Sequence, residues 1–172
     1  MTAQQMWKEF IQLHPEAAGG EMEAWCYGGE EADELARLTA EGIKTATASA
    51  YPLYALEGEK LPAEGVYSVI LRTDETAVCI IRTDRVYVVP FRDISAEQAW
   101  REGEGDRSLA YWRRAHEAFF TQEMQQAGLK FSEDMPVVCE EFSVVYPPCL
   151  ILTESAGSAV PQVLRSAPGG SF

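Results

Sequence analysis

The sequence predicts an α+β fold in which helices flank a mainly antiparallel sheet or small β-barrel. Segments rich in Val, Ile, Tyr and Thr, which are typical of strands, lie in the middle and near the end of the chain. Segments with helical periodicity come before and between them. Strands and helices do not alternate regularly, which argues against a parallel sheet built from βαβ units.

The first third of the chain predicts two helices. Apolar residues recur at helical spacing over residues 2–13, and Pro15 ends this helix. Residues 30–42 (EEADELARLTAEG) predict a second helix, with Gly42 just after its C-terminus. Between the two helices, residues 16–29 predict a turn-rich connection with an aromatic anchor. After Gly42 the chain is expected to enter an irregular or extended segment.

Three strands are predicted in the rest of the chain. Residues 65–73 and 76–91 are rich in β-branched and aromatic residues, and the sequence DET between them predicts a hairpin turn. Residues 135–146 (MPVVCEEFSVVY) predict a late strand. These three segments supply most of the expected sheet.

Two further helices are predicted between the hairpin and the late strand. Ser95 is followed three residues later by Gln98, a capping-box pattern that predicts the start of a short helix. Residues 108–128 have the strongest helical pattern of the chain, and Gly128 closes it. His116 lies on the aromatic stripe of this helix, where a packed histidine is expected more often than a catalytic one.

The sequence changes character after Tyr146. The last segment is rich in small residues, Pro and Gly, and lacks strand or helix periodicity. A chain of 172 residues is long enough for one domain with a sizeable core and too short for two of ordinary size. We therefore expect one domain over residues 1–146 and a tail over residues 147–172 that is irregular or partly docked.

Charge and composition exclude several classes of protein. The formal net charge of −13 argues against a general nucleic-acid binder that relies on a basic face. The chain has no apolar run of the roughly 20 residues that cross a bilayer, and its start lacks the pattern of a signal peptide. A cytoplasmic protein with no membrane partner is expected.

A metal centre is not expected either. The four cysteines are scattered and form no CxxC pair, and the chain has only two histidines. Structural zinc requires four closely placed Cys or His ligands. We expect reduced cysteines that serve as small apolar residues, with no metal and no cofactor.

The stretch GIKTATAS (residues 42–49) is the first candidate for chemistry. Lys44 lies beside a cluster of hydroxyl groups where a helix ends. Its ammonium could stabilise an oxyanion or, if it loses its proton, act as a base towards Thr47. Alternatively, the Lys44 ammonium interacts favourably with the C-terminal end of the helix dipole, and the hydroxyl groups form hydrogen bonds with backbone amides of the turn.

A second candidate is the acidic, glycine-rich loop WREGEGDRS. Two of its carboxylates, held close together in a partly apolar setting, could form an acid–base pair. Alternatively the loop is solvated, and Asp106 or Ser108 caps the following helix. Residues 72–116 also contain eight arginines and eight acidic residues, so an arginine there could bind an anion or pair with a neighbouring carboxylate.

Taken together, several stretches resemble the ASCH-domain proteins. They are AWCYGG, LARLTAEGIKTATASAYPLY, VYVVPFRDISAEQAWREGEGDRSLAYWRRAHEAFF and VVCEEFSVVY. The resemblance covers roughly residues 5–146 and is closest to a longer bacterial branch formerly described as a domain of unknown function. It implies a PUA-like small β-barrel with flanking helices and a cleft for RNA, a nucleotide or a modified nucleoside.

The resemblance also implies site residues. The G-x-K-x-x-T signature of this superfamily matches Gly42, Lys44 and Thr47. Members of a shorter bacterial branch hydrolyse N4-acetylcytidine to cytidine and acetate with a Lys, a Thr and a Glu, which implies Lys44, Thr47 and Glu102 as catalytic residues here. Glu104 is the alternative acid, because this chain has an extended EGEGD loop. The expected substrate contacts are Trp25, Tyr27, Thr45, Ser49, Tyr51, Arg82, Glu104, Asp106 and Ser108.

Three functions follow as hypotheses. The first is an amidohydrolase for an N4-acylated cytidine or similar small amide. In it, Thr47 attacks the acyl carbon or positions a water against it, Lys44 activates Thr47 or holds the oxyanion, and Glu102 protonates the leaving amine. The second is a ribonuclease or RNA-binding module, in which Arg82, Arg85 and Arg92 hold phosphate and aromatic rings stack on bases. The third is a sensor that binds a nucleotide without turning it over. The expected partner is therefore a modified nucleoside or a short RNA; the oligomeric state is not predicted.

Overall fold

The computed structural model describes residues 1–147, so the predicted tail over 147–172 lies outside the described residues except for Pro147. Within residues 1–147 the chain forms five α-helices and five strands, with single 3₁₀ turns at Pro15–Ala17 and Phe91–Asp93. The helices are α1 (Ala3–Leu13), α2 (Ala32–Ala40), α3 (Tyr51–Glu57), α4 (Ala96–Glu102) and α5 (Leu109–Gln126). The strands are β1 (Met22–Cys26), β2 (Ala46–Ala50), β3 (Tyr67–Leu71), β4 (Ala77–Pro90) and β5 (Pro136–Tyr146).

The five strands form one sheet in the order β1-β3-β4-β5-β2. The β1–β3 pair is parallel, and the β3–β4, β4–β5 and β2–β5 pairs are antiparallel. The sheet curls into a half-barrel with β1 and β2 at its edges. The predicted α+β fold with a mainly antiparallel sheet is confirmed.

Two elements differ from the sequence-based expectation. β1 lies in the segment predicted as a turn-rich connection; its residues alternate weakly in burial, and pairing with β3 makes it a strand. α3 follows β2 directly, in a segment for which no helix was predicted. Its seven residues contain no buried side chain, so it lacks the apolar stripe that sequence patterns detect.

Side-chain caps set the helix starts. Thr2 and Gln5 form a complete capping box at α1, and Ser108 caps α5 by accepting from the Tyr111 N–H. At α4, Ser95 accepts from the Gln98 N–H as predicted. The Gln98 side chain does not complete the box, because its Oε1 accepts from the Tyr87 hydroxyl instead of the Ser95 N–H. Its Nε2 donates to the Thr47 carbonyl and to Glu102.

The long β4–β5 pair carries the core. Alternation along β5 directs Val137 and Cys139 to one face, where they pack with Trp112 and Phe120 of α5. Phe142 faces the other way and packs with residues of α2 and the central strands. The site described below therefore lies between layers held in place by well-buried apolar contacts. Among residues 1–147, no helix is both long and apolar enough to cross a membrane.

Candidate active site

Two adjoining cavities open between the sheet and α5, the wide one bounded also by α3 and the narrow one by α2. The wide cavity has a volume of about 670 Å³, within the range of small-molecule sites, and all five strands contribute to its wall. The narrow cavity has a volume of about 230 Å³ and contains Lys44, Glu102, Glu104 and His116. Both cavities are lined by Tyr27, Gly28, Thr47, Ala48 and Phe119, so these five residues mark the junction.

Lys44 enters the narrow cavity because of the way α2 ends. Gly42 adopts a φ of +69°, a conformation that favours glycine, and the N–H groups of Ile43 and Lys44 both donate to the Leu38 carbonyl. This turn reverses the chain immediately before β2. The Lys44 side chain is consequently 1% exposed, although it is one of few lysines in the chain.

The glycine-rich loop after α4 brings two carboxylates to Lys44. Gly103 has a φ of +74° and lies so close to the Ile43 carbonyl oxygen that a Cβ would come within 2.7 Å of it. This approach brings Glu102 and Glu104 to the Lys44 Nζ, at 3.2 Å and 2.7 Å. The two sequence candidates, GIKTATAS and WREGEGDRS, thus form one charged cluster.

The Lys44 ammonium is stabilised as a cation. Burial by itself would lower the pKa of Lys44, but the charges of Glu102 and Glu104 outweigh burial and raise it. The Nζ also lies 5.4 Å from the centre of the Tyr27 ring. Of the two roles predicted for Lys44, holding an oxyanion fits this environment, whereas acting as a base does not.

Glu102 is fully buried and completely hydrogen-bonded. Its Oε1 accepts from Gln98 Nε2 at 3.0 Å and from Trp112 Nε1 at 2.7 Å. Its Oε2 accepts from Lys44 and lies 3.3 Å from His116 Nε2. Burial favours the neutral acid, but Lys44 and His116 reverse that effect and lower the pKa of Glu102 to about 2. The predicted role of proton donor does not fit Glu102, which instead anchors Lys44.

His116 is packed and hydrogen-bonded, as expected from the sequence, and its contacts also make it part of this cluster. Its ring stacks on Trp112 with the ring centres 4.0 Å apart, and its Nδ1 lies 3.1 Å from the Trp112 carbonyl oxygen. A carbonyl only accepts, so Nδ1 carries a hydrogen. The Nε2 atom lies 3.3 Å from Glu102 Oε2, so the ring is held between two acceptor oxygens.

A metal ion fits this cluster poorly. Ligand atoms of Glu102, Glu104 and His116 lie within 4.8 Å of one another, which is a spacing that a metal could use. The Lys44 ammonium, however, already contacts both carboxylates. A divalent cation would have to displace this buried ammonium or lie beside it, at a high electrostatic cost.

The wide cavity has a different character. Trp25 and Tyr27 supply aromatic surface and pack edge to face, with ring centres 5.0 Å apart. Ser49 also lines it, with its hydroxyl 2.7 Å from that of Tyr54. The charged residues of the wall are Glu23, Glu59, Glu123 and Glu140 against Lys60 alone. The wide cavity is thus aromatic and acidic.

The remaining predicted contact residues lie outside both cavities. Thr45 is bound through its N–H to the Arg101 carbonyl, and Tyr51 begins α3 with its side chain exposed. Arg82 is ion-paired with Asp84 on the surface. Asp106 accepts from the Ser108 N–H, and Ser108 caps α5, as the alternative interpretation of that loop predicted.

Four residues of the site were not predicted from the sequence as site residues. Gln98, Trp112 and His116 surround Glu102, and Glu140 lines the wide cavity. A signal was present in the helical spacing, because Gln98 and Glu102, like Trp112 and His116, are four residues apart and share a helix face. Spacing could not indicate that the two helix faces meet.

Comparison with known proteins agrees with this architecture. The family model described as the ASCH domain matches residues 23–146. The chain belongs to the ASCH-domain family. This ASCH domain is 32% identical to an ASCH domain from Lactobacillus crispatus, with 82% of this chain and 92% of that one covered and a TM-score of 0.78.

A second solved structure supports the same relationship. A protein from Enterococcus faecalis, attributed to a family of unknown function, is 34% identical, with 83% of this chain and 86% of that one covered and a TM-score of 0.73. Among curated proteins, none is significantly similar in sequence. The predicted resemblance and PUA-like fold are confirmed, and the protein is a nucleic-acid-related ASCH protein at the level of the family. The domain boundary at residue 146 and the roles of the site residues stay predictions.

Proposed function

We propose that this ASCH protein is a metal-independent amidohydrolase that acts on an N4-acylated cytidine or a similar small amide. The observation that carries the proposal is the buried Lys44 ammonium, held by two carboxylates in a cavity whose wall includes Thr47. A fixed cation that lines the same cavity as a hydroxyl nucleophile can stabilise the oxyanion formed in acyl transfer.

The reaction divides between the two cavities. The Thr47 hydroxyl attacks the acyl carbon at the junction, and the oxyanion that forms lies towards Lys44 in the narrow cavity. Glu102 and Glu104 hold the ammonium in position, so little reorganisation accompanies the change in charge. The amine leaves on the side of the wide cavity, and water then hydrolyses the acyl-threonine.

The lining of the wide cavity favours a neutral nucleoside over a polyanion. Its aromatic wall can pack against a base, whereas its excess of carboxylates opposes phosphate. Arg82, Arg85 and Arg92, the candidate phosphate contacts, lie outside both cavities and are ion-paired with Asp84, Glu141 and Asp134 respectively. The RNA hypotheses therefore have less support than hydrolysis of a small amide.

Incubation of the pure protein with N4-acetylcytidine tests the proposal, with release of cytidine followed by chromatography. We expect Thr47→Val to lower kcat by at least about 1,000-fold, because it removes the nucleophile and preserves the shape of the side chain. Thr121→Val, a change at an exposed threonine of α5, is the matched control and should leave turnover unchanged.

The same samples distinguish the alternatives. Cleavage of short RNAs that is lost in Thr47→Val, without nucleoside turnover, would replace the proposal with a ribonuclease. Tight binding of cytidine with no turnover of either substrate would favour a sensor. Equal turnover by wild type and Thr47→Val would remove Thr47 from the mechanism.

A further inference from the structure

Glu140 carries a half-buried carboxyl group that the reaction above does not use. It lies on β5 directly opposite Thr47 of β2 in the antiparallel register, and both residues line the wide cavity. Directly opposite residues share a face of the sheet, with Cβ atoms about 4.5–5.5 Å apart. A glutamate extends two atoms beyond Cβ to its carboxyl carbon, which brings the carboxylate within reach of a neighbouring hydroxyl.

The alternative proton acceptors near Thr47 are engaged. Lys44 is a cation, and Glu102 accepts hydrogen bonds on both oxygens. Glu104 contacts the Lys44 ammonium at 2.7 Å, and both ring nitrogens of His116 face acceptors. Among the acidic and basic side chains that residues 1–147 place around the junction, Glu140 lies directly opposite Thr47 and forms no ion pair.

We propose that Glu140 is the proton carrier for Thr47, a role that rests on the proposed hydrolysis of an amide. In its ionised form it accepts the hydroxyl proton as Thr47 Oγ1 bonds to the acyl carbon. It then gives that proton to the departing amine nitrogen as the C–N bond breaks, which leaves an ester on Thr47. In the second half, Glu140 accepts a proton from the attacking water. That proton returns to Thr47 Oγ1 as the ester bond breaks and the acid is released.

The surroundings of Glu140 suit a group that both takes and returns a proton. Burial, together with the charge of Glu23 across the cavity, raises the pKa of Glu140 to about 7, and a hydrogen bond from the Thr83 hydroxyl opposes this change. A proton carrier is most effective when its pKa lies near the working pH. Glu102, with its pKa lowered to about 2, could not return a proton at neutral pH.

The titratable groups around Glu140 come from several elements. Glu23, Cys26 and Tyr27 line the wide cavity from β1 and the residue after it; Tyr54, Glu59 and Lys60 line it from α3 and the following loop; and Glu123 lines it from α5. Along β5, Glu141 faces away and pairs with Arg85 and Arg101. Three carboxylates (Glu23, Glu59 and Glu123) against the one ammonium of Lys60 surround Glu140 in the cavity wall, so proton release from it is shifted upward in pH.

The test compares Glu140→Gln with wild type on N4-acetylcytidine from pH 5 to pH 9. For wild type we expect kcat/KM to rise with pH through about pH 7. Glu140→Gln should lower kcat by about 100- to 10,000-fold and abolish that rise, while Glu140→Asp should keep a pH-dependent rise at reduced rate. The matched control is Glu141→Gln, next on the strand and facing away, which should behave as wild type. An unchanged rate and pH profile in Glu140→Gln would overturn the role of Glu140 and leave amide hydrolysis standing.

A second measurement separates this role from the identity of the substrate. p-Nitrophenyl acetate, an activated ester, should acetylate Thr47 in wild type at a rate that rises through about pH 7, as followed by peptide mass spectrometry. Glu140→Gln should lose this acetylation. If N4-acetylcytidine is not hydrolysed but the pH-dependent adduct forms, the proposed substrate is wrong and Glu140 keeps its role. No adduct at Thr47, or equal labelling in Glu140→Gln, would overturn the role of Glu140.

Discussion

Glu102 is fully buried and Glu140 is half-buried, and the two cavities shift the pKa values of these glutamates in opposite directions. Burial raises the pKa in both cases. In the narrow cavity the charges of Lys44 and His116 overcome burial, and the pKa of Glu102 falls to about 2. In the wide cavity Glu23 adds to burial, and the pKa of Glu140 rises to about 7. The sign of the neighbouring charges, and not the degree of burial, therefore sets the direction of each pKa shift. It keeps Glu102 ionised and allows Glu140 to carry a proton.

This difference suggests a division of labour between the cavities. In the narrow cavity the charged groups contact one another and are held in place. This arrangement suits the stabilisation of an oxyanion by a fixed charge. The wide cavity has more acidic groups than cations, and its carboxyl beside Thr47 is free to exchange a proton. Four substitutions test the difference between the two cavities.

The largest effect is expected from Lys44→Met, which leaves two carboxylates unpaired in the narrow cavity. Removal of one partner from a buried ion pair costs about 3–5 kcal/mol, so the free energy of unfolding should fall by that amount at pH 7. Urea unfolding measures it, with the exposed Lys8→Met as the control, expected within about 0.5 kcal/mol of wild type. A fall in the free energy of unfolding of less than about 1 kcal/mol would mean that Lys44 does not balance the charges of Glu102 and Glu104.

The next effect concerns the dependence of stability on pH in the wide cavity. The pKa of Glu140 is raised from its ordinary value of 4.5 to about 7, so between these values the folded protein holds a proton that the unfolded chain has released. The contribution of Glu140 to stability therefore falls as the pH rises from about 4.5 to about 7. Relative to wild type, Glu140→Gln should gain about 2 kcal/mol in stability between pH 5 and pH 8. Parallel stability curves for the two proteins would contradict a raised pKa.

A smaller effect is expected at the junction of the cavities, from Tyr27→Phe. The Tyr27 hydroxyl lies 2.8 Å from Thr39 Oγ1, and both side chains are buried. Loss of this hydrogen bond should cost about 1 kcal/mol in thermal or urea unfolding, because Thr39 keeps its bond to the Leu35 carbonyl. The ring and its contact with Lys44 remain, so a loss of several kcal/mol would show that the hydroxyl does more than pair with Thr39.

The smallest effect is expected outside the cavities, from Arg82→Ala. Its ion pair with Asp84 is exposed, and such pairs contribute about 0–1 kcal/mol. Unfolding free energy should change by less than about 0.5 kcal/mol, and the affinity for cytidine, measured by calorimetry, should not change. A marked loss of affinity for cytidine would indicate that Arg82 contacts the substrate.

Most of the helices and strands could be predicted from the sequence, because hydrophobic periodicity and turn residues act locally. The helices at residues 3–13, 32–40 and 109–126 and the β3–β4 hairpin were predicted within a few residues. β1 and α3 were not, since one depends on pairing with β3 and the other has no buried stripe. The family resemblance likewise implied Lys44, Thr47 and Glu102 as a group, with Glu104 as the alternative acid.

The chemical role of each charged group depends on contacts that form only in the tertiary structure. Lys44 and Glu102 are 58 residues apart, and Thr47 meets Glu140 through the pairing of the first and last parts of the domain. A pKa depends on burial and on charges a few ångströms away, and neither is encoded in the spacing of residues along the chain. The family resemblance implied that Glu102 donates the proton to the leaving amine. The packing of α4 against α5 surrounds Glu102 with hydrogen-bond donors, so that it holds Lys44 in place instead.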